Sequence, residues 1–278
     1  MAGNGNGQLA TNLDGTATGG SRIELQQVEK IYRLASGDNL CALRDVSFTV
    51  QPSSFVSVVG ASGCGKSTLL RIIGGLSKQT TGEVLLDGAT IQGPRRDIGF
   101  VFQSPELLPW RTVLQNSVIG AEILGLDMVH ARRRALELIR LVGLESFEEA
   151  RPSELSGGMQ QRNALVRALL HDPKLLLMDE PFGALDALTR ETMGLELLRI
   201  WESLRCSVIF VTHSVTEALF LADTVVVLSS RPGRVQSVFS VELPRPRDLS
   251  MLASPEIATK AMRIRELLGA TPQMGVVE

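Results

Sequence analysis

Cysteine and aromatic residues are scarce in this chain, and an excess of charge of either sign is missing. The three cysteines, Cys41, Cys64 and Cys206, stand far apart with no CxxC pair. That spacing suggests neither a disulfide framework nor a zinc site and fits a reducing compartment. A formal net charge of -2 argues against the broad basic face that sequence-independent nucleic-acid binding requires and leaves only local patches open, so no nucleic acid is expected among the partners. No window approaches the roughly eighteen consecutive apolar residues of a membrane span, and no secretory apolar segment follows the N-terminus. The chain is therefore expected to stay in the cytoplasm. Residues 1–20 are rich in Gly, Asn and Thr and nearly free of large apolar groups. Such a stretch cannot repay the entropy of ordering and reads as a disordered leader.

The remainder is different in kind. With 278 residues, 44% of them hydrophobic, the chain can bury a sizeable core in one or two closely packed domains. Short apolar stretches from Ile23 to about Val50, broken by the polar turn Ser36 to Asn39, predict antiparallel strands, with another at Glu83 to Leu86 before Asp87-Gly88. Buried strands are expected at 54–59, 98–102, 175–179, 208–212 and 224–228, and helical patterns separate most of them. Alternation of this kind predicts an α/β fold with a mostly parallel sheet and ligands at the carboxyl ends of its strands. Between Ser104 and about Gln160 the strand signal disappears. There Ala135, Leu138, Ile139 and Val142 recur at helical spacing, so 104–160 reads as a helical insertion. The last strands flank RPGR at 231–234, and an amphipathic helix is expected near Ile257 to Leu268. The stretch after Ser230 is too short for a large regulatory domain, and none is expected.

GASGCGKST at 60–68 follows a buried-strand candidate and precedes a helical pattern, the context a nucleotide phosphate loop needs. Gly60, Gly65, Lys66 and Ser67 fill the fixed positions of GxxxxGK[ST], with Ala61, Ser62, Gly63, Cys64 and Thr68 completing the loop. Lys66 is placed to reach the β- and γ-phosphates of ATP and Ser67 to bind Mg²⁺. LLLMDE at 175–180 supplies a strand ending in two carboxylates. Asp179 would contact the metal shell, and Glu180 would act as general base toward water. Cys64, near a helix start and Lys66, occupies an environment that lowers a thiol pKa, or is simply a small side chain that the loop tolerates.

A second glycine pair stands in LSGGMQ, Leu155, Ser156, Gly157, Gly158, Met159 and Gln160, just before another helical run. Uncovered N–H groups at a helix start favour a phosphate, so the chain carries two anion cradles but one phosphate loop. The order GASGCGKST, Gln103, LSGGMQQR, LLLMDE, ALD at 184–186 and His213 resembles the nucleotide-binding subunit of an ATP-binding cassette transporter over about Ile23 to Ser230. This resemblance implies a P-loop NTPase cassette at 21–250, with an N-terminal antiparallel β subdomain, a helical subdomain near 104–160 and a short helical extension at 251–278. It implies a homodimer in which each ATP lies between one phosphate loop and the partner's LSGG loop. Two shared sites in a C₂ dimer account for the second cradle. It further implies that Gln103 touches metal and water, that His213 holds the γ-phosphate, that Asp186 reaches across the dimer and that Tyr32 stacks on adenine. Met159 departs from the glutamine that many relatives carry after LSGG, which leaves a backbone cradle intact.

VFQSPELLPW at 101–110 and EPFGALDALTR at 180–190 resemble the importer branch serving nitrate, alkylsulfonates, taurine and similar small anions. The implied partners are two integral membrane permease subunits and a periplasmic substrate-binding protein acting through them. The implied location is peripheral, on the cytoplasmic face of the inner membrane. Leu107, Leu108 and Trp110 follow Gln103 where relatives receive a permease helix; packing inside the helical insertion is the other reading. His130 and His171 read as surface or helix-end residues, and Arg132 to Arg134 as a solvated helix face. Exporter, chromosome-maintenance and translation-associated cassettes share the catalytic motifs. The last two classes normally add a coiled coil, zinc cysteines or a second cassette.

Overall fold

The computed structural model describes residues 19–269. The expected leader lies outside the described residues apart from its last two positions, and Gly20 already donates its N–H to the Ser53 hydroxyl at 3.0 Å. Residues 270–278 of the expected C-terminal extension also lie outside.

β1 (Ile23–Arg33) and β2 (Asn39–Val50) form the predicted hairpin. With β4 (Thr81–Leu86) and the short β5 (Ala89–Thr90) they make an antiparallel sheet in the order β2-β1-β4-β5. β5 is only two residues long and left no periodic signal. The second sheet has six strands in the order β10-β9-β3-β8-β7-β6. Its members are β3 (Phe55–Val59), β6 (Ile98–Val101), β7 (Leu175–Asp179), β8 (Ser207–Thr212), β9 (Thr224–Leu228) and β10 (Val235–Ser240). All pairings are parallel except β10 with β9. β3, β7 and β8 are buried along their whole length because helices and the first sheet cover both faces.

Strand periodicity divides the core. Phe55, Val59, Leu176 and Met178 enter one cluster with α5 (Gly157–Leu169), α6 (Ala187–Leu204), α7 (Val215–Leu221) and α8 (Pro255–Leu267). Val56, Val58, Leu175 and Leu177 enter the other, with α1 (Lys66–Ile73) and the antiparallel sheet. The strand-free stretch holds α2 (Val113–Ser117), α3 (Ile119–Leu124) and α4 (Met128–Leu141). Ala135, Leu138, Ile139 and Val142 are all buried, as their spacing predicted. Among the described residues no helix is long and apolar enough to cross a membrane.

Register fixes where the chemistry emerges. Val59 of β3 lies beside Thr212 of β8, and Val211 lies beside Asp179 of β7. The residues that follow these strands, Gly60, His213 and Glu180, therefore leave the sheet along one carboxyl edge. Val101 lies beside Met178, which brings Gln103 out at the same edge.

Candidate nucleotide site

Gly65 caps α1 with φ 109°, and a Cβ there would stand 2.7 Å from Leu43 Cδ2 and 2.8 Å from the Ala42 carbonyl. Only glycine permits both the left-handed backbone and the close approach. Ala61, Ser62 and Gly63 are exposed at the loop's crest, while Lys66 is 5% exposed and folded inward. Its ammonium donates to the Gly60 carbonyl at 3.0 Å and the Ala61 carbonyl at 3.3 Å, and pairs with Glu180 Oε1 at 3.4 Å. The other oxygen of Glu180, Oε2, lies 3.0 Å from His213 Nδ1. Glu180 thus bridges Lys66 and His213 across strand ends that are distant in sequence. Its backbone is left-handed at φ 45°, held by a 2.9 Å bond from its N–H to the Val211 carbonyl. A non-glycine residue in that region is the kind of strain that collects at functional sites.

The Ser67 hydroxyl donates to Asp179 Oδ1 at 2.9 Å. Burial, reinforced by the neighbouring Glu180 carboxylate, pushes the Asp179 carboxyl above its ordinary range, against the opposing Ser67 hydrogen bond. A buried carboxylate so destabilised, touching a hydroxyl oxygen, is a donor set suited to a hard divalent cation such as Mg²⁺. Gln103 is exposed two residues beyond β6. Tyr32 lies at the end of β1, its hydroxyl 3.5 Å from the Thr68 hydroxyl, with the Lys30 ammonium 5.0 Å from its ring centroid.

The structure corrects the reading of Cys64 as an activated thiol. The side chain is 1% exposed, and desolvation raises its pKa despite the nearby Lys66. It fills space under the loop.

The second glycine pair opens α5. Ser156 is its N-cap, accepting from the Met159 N–H at 3.3 Å, and Leu155 is buried. The Gln160 side chain donates back to the Pro152 carbonyl at 2.9 Å. A Cβ on Gly157 would meet nothing within 4 Å, and one on Gly158 nothing closer than 3.7 Å. Contacts inside the chain therefore do not demand glycine at either position. Among the described residues no hydrogen bond joins 155–160 to 60–68. Asp186 is exposed and caps α6, accepting from the Thr189 N–H at 3.1 Å and the Thr189 hydroxyl at 2.6 Å.

Comparison with known proteins decides what this arrangement belongs to. A family model described as ABC transporter matches residues 43–183. The chain belongs to the ABC transporter family. The taurine import ATP-binding protein of Rhizobium johnstonii is 46% identical over 91% of this chain and 98% of its own length. An aliphatic sulfonates import ATP-binding protein of Bacillus cereus is 42% identical over 87% of this chain and 94% of the relative. The nitrate import ATP-binding protein NrtD of Synechocystis is 45% identical over 80% and 83%. Among solved structures, the dimeric cassette MJ0796 superposes with a TM-score of 0.71 at 35% identity, covering 80% of this chain and all of that one. The same cassette is known in a post-hydrolysis state bound to ADP and phosphate. This ABC protein is accordingly an ATP-binding ATPase subunit of a transporter.

Sequence reasoning missed several groups that brace the ABC site. Arg167 of α5 donates to the Pro105 and Glu106 carbonyls at 2.7 and 2.5 Å, and Gln161 to the Phe102 carbonyl at 3.2 Å. These bonds tie the helix bearing LSGG to the segment bearing Gln103. Half-buried Glu217 accepts a short hydrogen bond from the Thr212 hydroxyl beside His213. None has a motif of its own; each pairing depends on long-range contact. Trp110 is 67% exposed, which removes the reading that it packs inside the helical insertion. It lines a groove with Leu114 and Val118, but also with Arg111, Glu122 and Arg132, so the groove is mixed rather than apolar. His130 is exposed at the start of α4, 2.6 Å from Asp127, and Arg132 and Arg133 face solvent while Arg134 pairs with Asp172 at 2.8 Å.

Proposed function

We propose that this subunit hydrolyses ATP within a homodimer to drive import of a small anion of the sulfonate, taurine or nitrate class. The observation that carries the catalytic half is the convergence of Lys66, Glu180 and His213 on one sheet edge beside the phosphate loop. In this reading the loop amides and Lys66 bind the β- and γ-phosphates, and Tyr32 stacks on the adenine. Glu180 accepts the proton of the attacking water, which Gln103 orients, and His213 holds the γ-phosphate. Ser67 and Asp179 would hold Mg²⁺, with Gln103 near it; the ion supplies charge neutralisation on the phosphate oxygens when bound.

The open space above Gly157 and Gly158 supports approach by a ligand from outside the chain, the γ-phosphate of ATP bound to the partner. Asp186, exposed at the start of α6, would reach across the same interface. Binding energy available only in the closed dimer is lost when the γ-phosphate leaves, so hydrolysis allows opening. The dimer would sit on two permease subunits at the cytoplasmic face of the inner membrane, with a periplasmic binding protein delivering the anion. The import direction and anion class rest on relatives that align over most of their length.

Deletion of the coding sequence in the source organism tests the anion class. Growth on taurine or an alkylsulfonate as sole sulfur source, or on nitrate as sole nitrogen source, is expected to fail and to return on complementation. Normal growth on all three would contradict the anion assignment while leaving ATP hydrolysis untouched.

A further inference from the structure

The loop between β9 and β10 does more than turn the chain. Arg231 is exposed, yet its Nε and Nη2 both donate to the Gly63 carbonyl, at 3.2 and 3.0 Å. The same peptide unit is held from its other side, because the Cys64 N–H donates to the Ala61 carbonyl at 3.2 Å. Gly63 itself is left-handed at φ 73°. Both ends of the Gly63–Cys64 peptide are thereby committed, which leaves the other crest amides free to face an anion.

A second observation is steric and independent of Arg231. Gly233 is buried against the phosphate loop: a Cβ there would lie 2.3 Å from the Cys64 carbonyl oxygen. Its own N–H donates to the Ala42 carbonyl at 2.9 Å, and its carbonyl accepts from the Arg44 N–H at 2.9 Å. Glycine at 233 lets the turn reach the loop, and arginine at 231 grips it there. Gly60 closes the contact, since its Cβ would stand 3.2 Å from the Leu228 carbonyl at the end of β9.

We infer that Arg231 is a positioning residue for nucleotide binding, seated by Gly233, and that it presets the phosphate-loop backbone in its anion-receptive form. A carbonyl turned into the cradle would repel a phosphate, and the guanidinium keeps the Gly63 carbonyl turned out. The effect belongs to binding. Once ATP is bound, its own phosphates hold the loop.

The inference rests on reading 60–68 as the nucleotide phosphate loop. Its test is the Kd for ATP, measured by titration calorimetry on the full chain, together with ATPase kinetics and thermal melting. Arg231→Ala is expected to raise Kd and KM about tenfold, with kcat at saturating ATP within about twofold of the parent and an unchanged melting temperature, since the side chain is exposed. Arg231→Lys, which keeps the charge but offers one donor nitrogen in place of two, should recover part of the affinity. An Arg231→Ala protein with unaltered Kd, or one whose melting temperature falls in step with its affinity, would overturn the inference. Lys66→Ala separates the two levels. Its loss of ATP binding alongside an unaltered Arg231→Ala defeats the inference alone, whereas retained binding in Lys66→Ala defeats the phosphate-loop reading beneath it.

Discussion

Glu180 holds the central position among the site residues, since one oxygen faces Lys66 and the other faces His213. In the proposed cycle, this acid between the Lys66 ammonium and the His213 imidazole receives a proton from water without leaving its partners. Asp179, the last residue of β7, faces Ser67 instead, and the left-handed backbone just beyond the strand sends the adjacent carboxylate of Glu180 toward Lys66 and His213. Glu180→Gln preserves the side chain's shape and removes its basicity. It is expected to keep ATP binding and to lower turnover by roughly 10²-fold or more, measured as phosphate release against bound nucleotide. Turnover equal to that of the parent would remove Glu180 from the role. These residues were legible from sequence because their motifs are local. The pairing of Glu180 with His213, the burial that reverses the expected Cys64 shift, and the grip of Arg231 were not legible. Each depends on which strand ends lie side by side, which one sequence without its fold does not specify.

At the scale of elements, α5 links the two ends of the proposed cycle. Its first turn presents Ser156 and Gly157, and Gln161 and Arg167 further along hold the carbonyls of Phe102, Pro105 and Glu106. Arg167 is partly desolvated, and burial lowers its pKa. Carbonyl partners compensate a buried guanidinium, and they give the segment after Gln103 a rigid backing. Trp110 stands just beyond that segment on the exposed rim of the helical region. Trp110→Ala should leave ATPase of the isolated subunit unchanged and lower substrate-stimulated ATPase in the assembled transporter several-fold, as a lost aromatic anchor does. Equal stimulation in both proteins would remove Trp110 from the permease contact that the resemblance implied. The buried strands and α4 were predictable from apolar runs and helical spacing. The two-residue β5 was not, because it is too short to show a period.

The whole molecule presents a phosphate loop at the end of β3 and a glycine-opened helix start at α5, with no hydrogen bond between them among the described residues. Composition and alternation made the α/β class legible, and motif order made the cassette legible. The proposed second copy rests on combining those motifs with the open space at Gly157. The most direct measurement is the oligomeric state of the Glu180→Gln protein, by light scattering, at a concentration where the chain alone is monomeric. With ATP and Mg²⁺ it is predicted to become a dimer, and to remain a monomer when Gly157→Glu is added, at a position where a Cβ would meet nothing within 4 Å in this chain. A monomer in ATP, or a dimer that tolerates glutamate at that helix start, would contradict the shared-nucleotide account.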